Sequence, residues 1–177
     1  MANRYNEQTS SFVCVDMERA IHSSALDGDA NGNRWYTTET ESGSIDENLY
    51  PPNFEVGCSV CLAPKPTFVR WGSNSCPSGS LQLFKGIAAG NAYNQGGSGS
   101  NTLCLHTSPQ HPKGLSDGNQ DGARLYGTEY ENTGNLDGNQ DRDAACSMCM
   151  TDTTGDVYVQ WGRSDSCSNN HTTLYTG

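Results

Sequence analysis

Residues 58–61 read Cys-Ser-Val-Cys, and residues 146–149 read Cys-Ser-Met-Cys. The segment that follows the first pair also returns: FVRWGSNSC at 68–76 reappears as YVQWGRSDSC at 158–167. Self-similarity at one period of about 90 residues is the signature of an internal repeat. These two stretches therefore indicate a duplicated chain.

The same period holds toward the amino terminus. FVCV around Cys14 matches TLCL around Cys104, so every cysteine of one half has a counterpart in the other half. Two copies are too few for a solenoid, which needs at least about three units to cover its stacked faces. We therefore predict a first repeat at residues 1–90 and a second repeat at residues 91–177, packed as one compact pseudo-two-fold unit.

Short runs of aromatic and β-branched residues, bounded by Pro, Gly and Asp, are typical of β-strands. Such runs recur in both halves, and they predict an all-β fold of short antiparallel strands with long loops, stabilised by disulfides. The predicted strands cover residues 10–15, 34–41, 66–72, 81–86, 101–105, 124–131, 156–162 and 172–177.

The 177 residues carry a formal net charge of −10, and the pI is near 4.6. Nucleic acids and anionic membranes require a basic footprint, so we expect no nucleic-acid binding. No stretch approaches the roughly 20 apolar residues of a membrane span, and we expect no membrane insertion. Residues 1–12 are polar and do not resemble a signal peptide. If the protein is secreted, the chain is expected to be a mature fragment.

The eight cysteines form an even set in a loop-rich chain, which is typical of a disulfide framework in a secreted, extracellular protein. If the two halves bond internally and alike, three pairings remain, and we favour Cys14 and Cys104 each bonding to a C-x-x-C member. Bridges between the halves stay open. The rival interpretation is a four-thiolate zinc site at the two C-x-x-C pairs. The expected disulfide cysteines are Cys14, Cys58, Cys61, Cys76, Cys104, Cys146, Cys149 and Cys167. Asn170 lies in an Asn-His-Thr sequon and is a candidate glycosylation site.

Two acidic loops carry the sharpest chemical signal. Residues 27–32 read DGDANG and residues 117–122 read DGNQDG, and both fit the opening half of a calcium loop. The twelfth position, where an EF-hand has its bidentate Glu, is Thr in both copies, so neither loop is an EF-hand. The alternative is that Asp-Gly and Asn-Gly form tight turns. The predicted Ca²⁺ ligands are Asp27, Asp29, Asn31, Asp117, Asn119 and Asp121, with Glu39 and Glu129 as further ligands.

Aromatic residues directly after these loops are the candidates to line a ligand site: Trp35, Tyr36, Tyr126 and Tyr130. Trp71 and Trp161 occupy a repeated position, and we predict that both pack in the core. The four histidines occupy no repeated position, and no G-x-S-x-G, H-E-x-x-H or P-loop pattern occurs. We therefore expect that the protein is not an enzyme.

The ordered series VRWGSNSCPSGSLQLFKGIAAG, GSGSNTLCL, ARLYGTEYE and DAACSMC resembles the C-terminal non-collagenous domain of short-chain, spongin-type collagens and related secreted invertebrate proteins. One copy spans about residues 69–149. The first half repeats the later part of the pattern and residues 157–177 repeat its opening, so the match is a cyclically shifted tandem copy. The resemblance implies a secreted, disulfide-bonded, non-catalytic β module of extracellular matrix. The chain has no Gly-X-Y tract, and Cys167 precedes Ser where Cys76 precedes Pro.

Together these features predict a secreted, calcium-dependent carbohydrate-binding protein of lectin type, with one site in each repeat. The expected partners are glycans or glycoproteins. The sequence is also compatible with a homo-oligomer. The alternative is a non-catalytic structural or adhesive matrix module that calcium and disulfides make rigid.

Overall fold

The computed structural model describes residues 1–24, 28, 32–112, 114–115, 118–131 and 139–177. Strands make up its regular structure, and the described chain contains no α-helix, which confirms the all-β class. The strands are β1 (Thr38–Thr40), β2 (Thr67–Trp71), β3 (Ser80–Gly90), β4 (Leu103–His106), β5 (Ala123–Gly127), β6 (Glu129–Tyr130), β7 (Arg142–Asp143) and β8 (Ala145–Thr151). A single 3₁₀ turn at Ser168–Asn170 is also present.

The chain folds as two compact units. Unit one comprises Met1–Val60, Ala89–Leu103 and Ser108–Thr128, and unit two comprises Cys61–Ala88, Cys104–Thr107 and Glu129–Gly177. Each unit therefore draws residues from both predicted repeats. The boundary between repeats at residue 90 stays a prediction.

Unit two is built on β8, which lies between β2 and β3 and pairs antiparallel with both. The register places Val69 opposite Met148 and Phe84 opposite the same Met148. A Cβ on Gly86 of β3 would lie 2.5 Å from the Cys104 Sγ atom, so only glycine lets this disulfide cross the strand. Cys146, Ser147 and Cys149 of β8 are buried. Because Cys146 and Ser147 are consecutive and point to opposite faces of the strand, both faces of β8 are covered there.

Unit one contains the pairing of β1 with β5 and of β5 with the last residues of β3. β1 and β5 run parallel, and β5 runs antiparallel to Ala89 and Gly90. The buried side chain of Leu125 lies at the centre of this arrangement. The expectation of only antiparallel strands is thus wrong. β1 runs parallel to β5, so the sheet is mixed.

Three of the predicted strands do not form. Residues 156–162 and 172–177 have no strand partner among the described residues, and residues 10–15 keep only an isolated bridge from Ser10 to Gly99. Strand propensity depends on packing against neighbouring strands rather than on the backbone alone. The equivalent residues 67–71 form a strand because β8 lies beside them.

Three disulfides join Cys14 to Cys58, Cys104 to Cys146 and Cys76 to Cys149. The prediction that Cys14 and Cys104 each bond to a C-x-x-C member is confirmed. The third bond joins residues from the two halves. The expectation that all eight cysteines are bonded differs from the structure, where Cys61 is exposed and Cys167 is half-buried, both as thiols. Because three of the four C-x-x-C sulfurs are in disulfides, the zinc alternative is excluded.

The disulfides indicate an oxidising compartment such as the extracellular space. In the part of the chain that the structure describes, no helix has the length and apolar character needed to cross a membrane.

Candidate functional site

The first acidic loop lies mostly outside the described residues. Asp27, Asp29 and Asn31 lie outside the described residues. Gly28 is described and has φ +96°, a backbone conformation that favours glycine. Calcium ligation by these three residues stays a prediction.

The second loop is described from residue 118 onward, so Asp117 also lies outside the described residues. The Asn119 Oδ1 atom accepts a hydrogen bond from the Asp121 N–H at 2.9 Å, which is an Asx turn. The Asp121 carboxylate lies 3.5 Å from the Arg124 guanidinium. In this structure both side chains stabilise the turn, as the tight-turn alternative expects.

Glu39 is buried in unit one, with 1% of its surface exposed, and lies opposite Glu55, which is 2% exposed. One Glu39 oxygen accepts a hydrogen bond from the Gln120 N–H at 3.1 Å, and one Glu55 oxygen accepts a hydrogen bond from the Thr37 hydroxyl at 3.1 Å. The Glu39 Oε1 and Glu55 Oε2 atoms have no hydrogen-bond partner in the described chain. Glu39 therefore contacts the second acidic loop, whereas the sequence grouped it with the first.

This carboxylate pair recurs in the second half. Glu55 stands three residues before Cys58, and Asp143 stands three residues before Cys146. Glu129, the counterpart of Glu39, pairs with Asp143 across β6 and β7, just as Glu39 pairs with Glu55. The sequence analysis missed Glu55, but its fixed spacing from the C-x-x-C pair could have revealed it.

Burial raises the pKa of Glu55, and the negative charge of Glu39 raises it further. The hydrogen bond from Thr37 and the positive charges of His111 and the amino terminus lower it in part. Burial likewise raises the pKa of Glu41, an effect that the Arg124 charge opposes from 2.9 Å. Unit one therefore holds carboxyl groups that resist ionisation.

Unit two carries an exposed acidic cluster of Glu129, Glu131 and Asp141, whose carboxylate oxygens lie within 4.8 Å of one another. Asp141 has φ +57°, and its N–H donates to the Tyr130 carbonyl at 2.9 Å, which turns the chain back toward β6. The sequence selected Glu129 as a ligand but not Glu131 or Asp141. Two features of the sequence could have indicated them: Glu131 repeats Glu41, and residues 137–141 read DGNQD, which repeats the opening of the second acidic loop without its closing Gly.

A polar cleft of about 460 Å³ opens in unit one directly after the first acidic loop. Asn3 is 9% exposed in this cleft; its amide donates to the Gln8 carbonyl at 2.9 Å, but its Oδ1 atom finds no hydrogen-bond partner within the described chain. A Glu7–Arg34 ion pair at 3.6 Å borders it. The lining residues are Asn3, Glu7, Gln8, Gly32, Asn33 and Arg34.

The four aromatic candidates divide between exposed and occupied positions. Trp35 follows the cleft residue Arg34 and is 57% exposed. Tyr36 is half-buried under the Arg4 guanidinium, and the Tyr126 hydroxyl accepts a hydrogen bond from the Gln95 amide at 2.9 Å. Tyr130 is half-buried in β6. Trp35 is therefore the exposed residue of the four, one position after the cleft residue Arg34.

The repeated tryptophans do not pack in a core, contrary to prediction: Trp71 is 42% and Trp161 is 90% exposed. Trp71 is the last residue of β2 at the end of the sheet, and the segment of Trp161 lacks a paired strand among the described residues.

Asn170 of the sequon is exposed, with φ +58°. The position is accessible to a glycosylating enzyme.

No family model matches the chain, and no curated protein or solved structure matches it either.

Proposed function

We propose that the protein is a secreted, calcium-dependent carbohydrate-binding protein without catalytic activity, with one site in each of two repeats. The observation that carries this proposal is the polar cleft in unit one, with the unpaired Asn3 Oδ1 acceptor in its wall and the exposed Trp35 next along the chain. A buried acceptor without a partner is costly, and a donor from a ligand would relieve that cost.

Sugar hydroxyl groups match the donors and acceptors of this cleft. A hydroxyl donates to Asn3 Oδ1, while the Arg34 guanidinium and the Glu7 carboxylate at 3.6 Å from it offer a donor and an acceptor to neighbouring hydroxyls. The indole of Trp35 supplies a flat apolar face for the C–H side of a sugar ring. A second site in the other repeat, as the duplicated sequence predicts, would raise the avidity for multivalent glycans without new contacts at the first site.

Calcium enters the proposal through oxygen donors. Ca²⁺ takes about six to eight oxygen ligands, and Glu129, Glu131 and Asp141 bring three carboxylates together, so the donor set fits this ion. Bound there, the ion would neutralise the repulsion among the three carboxylates and hold the turn at Asp141. The first acidic loop, whose last residue Gly32 lines the cleft, would bind the second ion.

Calcium binding is measured by isothermal titration calorimetry of the wild-type protein and of Glu129→Gln/Asp141→Asn. We expect the double substitution to remove one binding event and to leave the event of the first loop. Glu47→Gln, which changes an exposed acid at another place, is the control. Unchanged titrations of the double variant would contradict a site at this cluster.

Carbohydrate binding is tested on a glycan array in millimolar Ca²⁺ and again in EDTA. We expect selective binding to one sugar class, loss in EDTA, and at least a tenfold weaker signal for Trp35→Ala. Tyr93→Ala removes an aromatic ring that is 99% exposed outside the cleft and should bind as the wild type does. A blank array with working positive controls would favour the structural or adhesive matrix module, which self-association in Ca²⁺ without sugar inhibition would then support.

A further inference from the structure

The disulfides of the two halves correspond, with one exception. Cys14–Cys58 in the first half matches Cys104–Cys146 in the second. Cys76–Cys149 joins the cysteine that ends the repeated segment FVRWGSNSC to the last cysteine of a C-x-x-C pair. Its counterparts by sequence are Cys167 and Cys61, which are the two free thiols.

We propose that Cys61 and Cys167 form a fourth disulfide within one chain, equivalent to Cys76–Cys149, and that this bond fastens the carboxyl-terminal segment 152–177. The proposal does not depend on carbohydrate binding.

The segments that carry the two thiols leave the same end of the sheet side by side. Thr67 at the start of β2 is opposite Met150 near the end of β8, and the Thr151 N–H donates to the Pro66 carbonyl at 3.0 Å. Just beyond, the Lys65 ammonium donates to the Asp152 carbonyl. The segment that leads from Pro66 back to Cys61 and the segment that leads from Asp152 on to Cys167 therefore begin about 5 Å apart, which is the spacing of paired strands.

The far end of the carboxyl-terminal segment is also held on β2. The Tyr175 ring stacks on Phe68 with 6.3 Å between centroids, and its hydroxyl donates to the Val69 carbonyl at 3.1 Å. Cys167 lies between this anchor and Asp152. Cys61 is five residues before Pro66, and Cys167 is 15 residues after Asp152. An extended chain spans about 3.3 Å per residue, so both connections are long enough for the sulfurs to meet without unfolding β2 or β8.

Apolar side chains around the two thiols are open to solvent. Leu62 is 101% exposed, and Val159 and Trp161 are 69% and 90% exposed. Their counterparts Met150, Val69 and Trp71 lie in paired strands, where Met150 and Val69 are half-buried. Closure by the fourth disulfide would bring the open residues together and reduce this exposed apolar surface.

The bond forms by thiol–disulfide exchange with a small disulfide such as oxidised glutathione. The Cys61 thiolate attacks one glutathione sulfur and releases one glutathione thiolate. The Cys167 thiolate then attacks the Cys61 sulfur of the mixed disulfide and releases the second. Each cysteine loses one proton and one electron, and the oxidant leaves as two reduced glutathione molecules.

The test uses the whole chain, equilibrated with oxidised and reduced glutathione and then alkylated. We expect no alkylated thiol in the wild type and a Cys61–Cys167 linked peptide after non-reducing digestion. Cys61→Ser and Cys167→Ser should each expose one thiol, and the double substitution none. Trypsin cleavage after the exposed Arg163 should leave residues 164–177 attached to the wild type until a reductant is added, but release them from the double variant.

Two alkylated thiols in a wild-type chain whose other three bonds are complete would overturn the proposal. So would a Cys61–Cys167 peptide found only between chains when isotope-labelled and unlabelled protein are mixed. Circular dichroism of the double variant checks that the three remaining disulfides maintain the fold.

Discussion

Replacing Glu55 by Gln should stabilise the protein at neutral pH. Glu55 is 2% exposed and faces Glu39, which is 1% exposed, across an antiparallel bridge. Gln keeps the acceptor for the Thr37 hydroxyl and nearly the same volume, but removes the charge. The substitution therefore isolates the cost of burying a second carboxylate.

The size of the gain follows from the geometry. The Cβ atoms of residues directly opposite in an antiparallel pair are about 4.5–5.5 Å apart. Two like charges about 5.5 Å apart repel by about 3 kcal/mol at an effective dielectric constant of about 20. Glu55 also attracts the partly buried amino terminus and His111, and this attraction is lost in the variant. We expect a net increase of about 1–2 kcal/mol in the free energy of unfolding at pH 7.

The pH dependence of the unfolding free energy provides a second test of the repulsion between Glu55 and Glu39. Burial and Glu39 raise the pKa of Glu55 in the folded state above the ordinary value of 4.5. The folded state therefore binds more protons than the unfolded state as the pH rises through this range, and stability falls. The advantage of Glu55→Gln should thus grow from pH 4.5 toward neutrality and vanish below pH 4.5.

The assay is urea unfolding in EDTA between pH 4 and pH 8, with Glu18→Gln as an exposed control that loses the same charge. The control should shift the free energy by less than about 0.5 kcal/mol. Equal or lower stability of Glu55→Gln at pH 7 would refute the repulsion argument. A destabilisation that appears only with Ca²⁺ would instead assign Glu55 to an ion site.

Three further outcomes follow from unit one. Gly99→Ala places a Cβ into the Phe12 ring and should lower the free energy of unfolding by about 1–3 kcal/mol, measured by urea unfolding against Gly96→Ala, where the nearest atom to the added Cβ is 4.0 Å away. Burial raises the pKa of Tyr50 to about 12, so absorbance titration should show one late tyrosine that disappears in Tyr50→Phe. Arg124→Lys keeps the charge but loses the guanidinium 3.7 Å over the Tyr5 ring, and should lower the thermal midpoint by an amount equivalent to about 1 kcal/mol.

The sequence predicted the β class and the bonding of Cys14 and Cys104 to a member of a C-x-x-C pair, because short apolar runs and a duplicated cysteine pattern are local signals. It did not predict which runs find a neighbouring strand. Residues 67–71 and 157–161 have nearly the same side chains, yet only the first pairs with β8. Strand formation here depends on a segment about 80 residues away, which no local pattern encodes.

The residues of the candidate site were likewise predicted only in part. Trp35 was identified from its place after an acidic loop, and it is exposed next to a cleft residue. Asn3 was missed because its importance comes from an unpaired oxygen, a property of packing rather than of residue type. Glu39 was assigned to the loop nearest in sequence, whereas its hydrogen bond goes to Gln120.

The pairing of distant strands also sets how this chain reaches its native state. β2 pairs with β8 across 75–83 positions of sequence, and Cys76 bonds to Cys149 across 73. Chains dominated by such non-local contacts fold in milliseconds to seconds, and their cysteines can pair wrongly while the sheet is incomplete. A disulfide isomerase reshuffles early bonds until β8 pairs with β2 and β3. We therefore expect it to raise the yield of native protein far more than it raises the final stability of that protein.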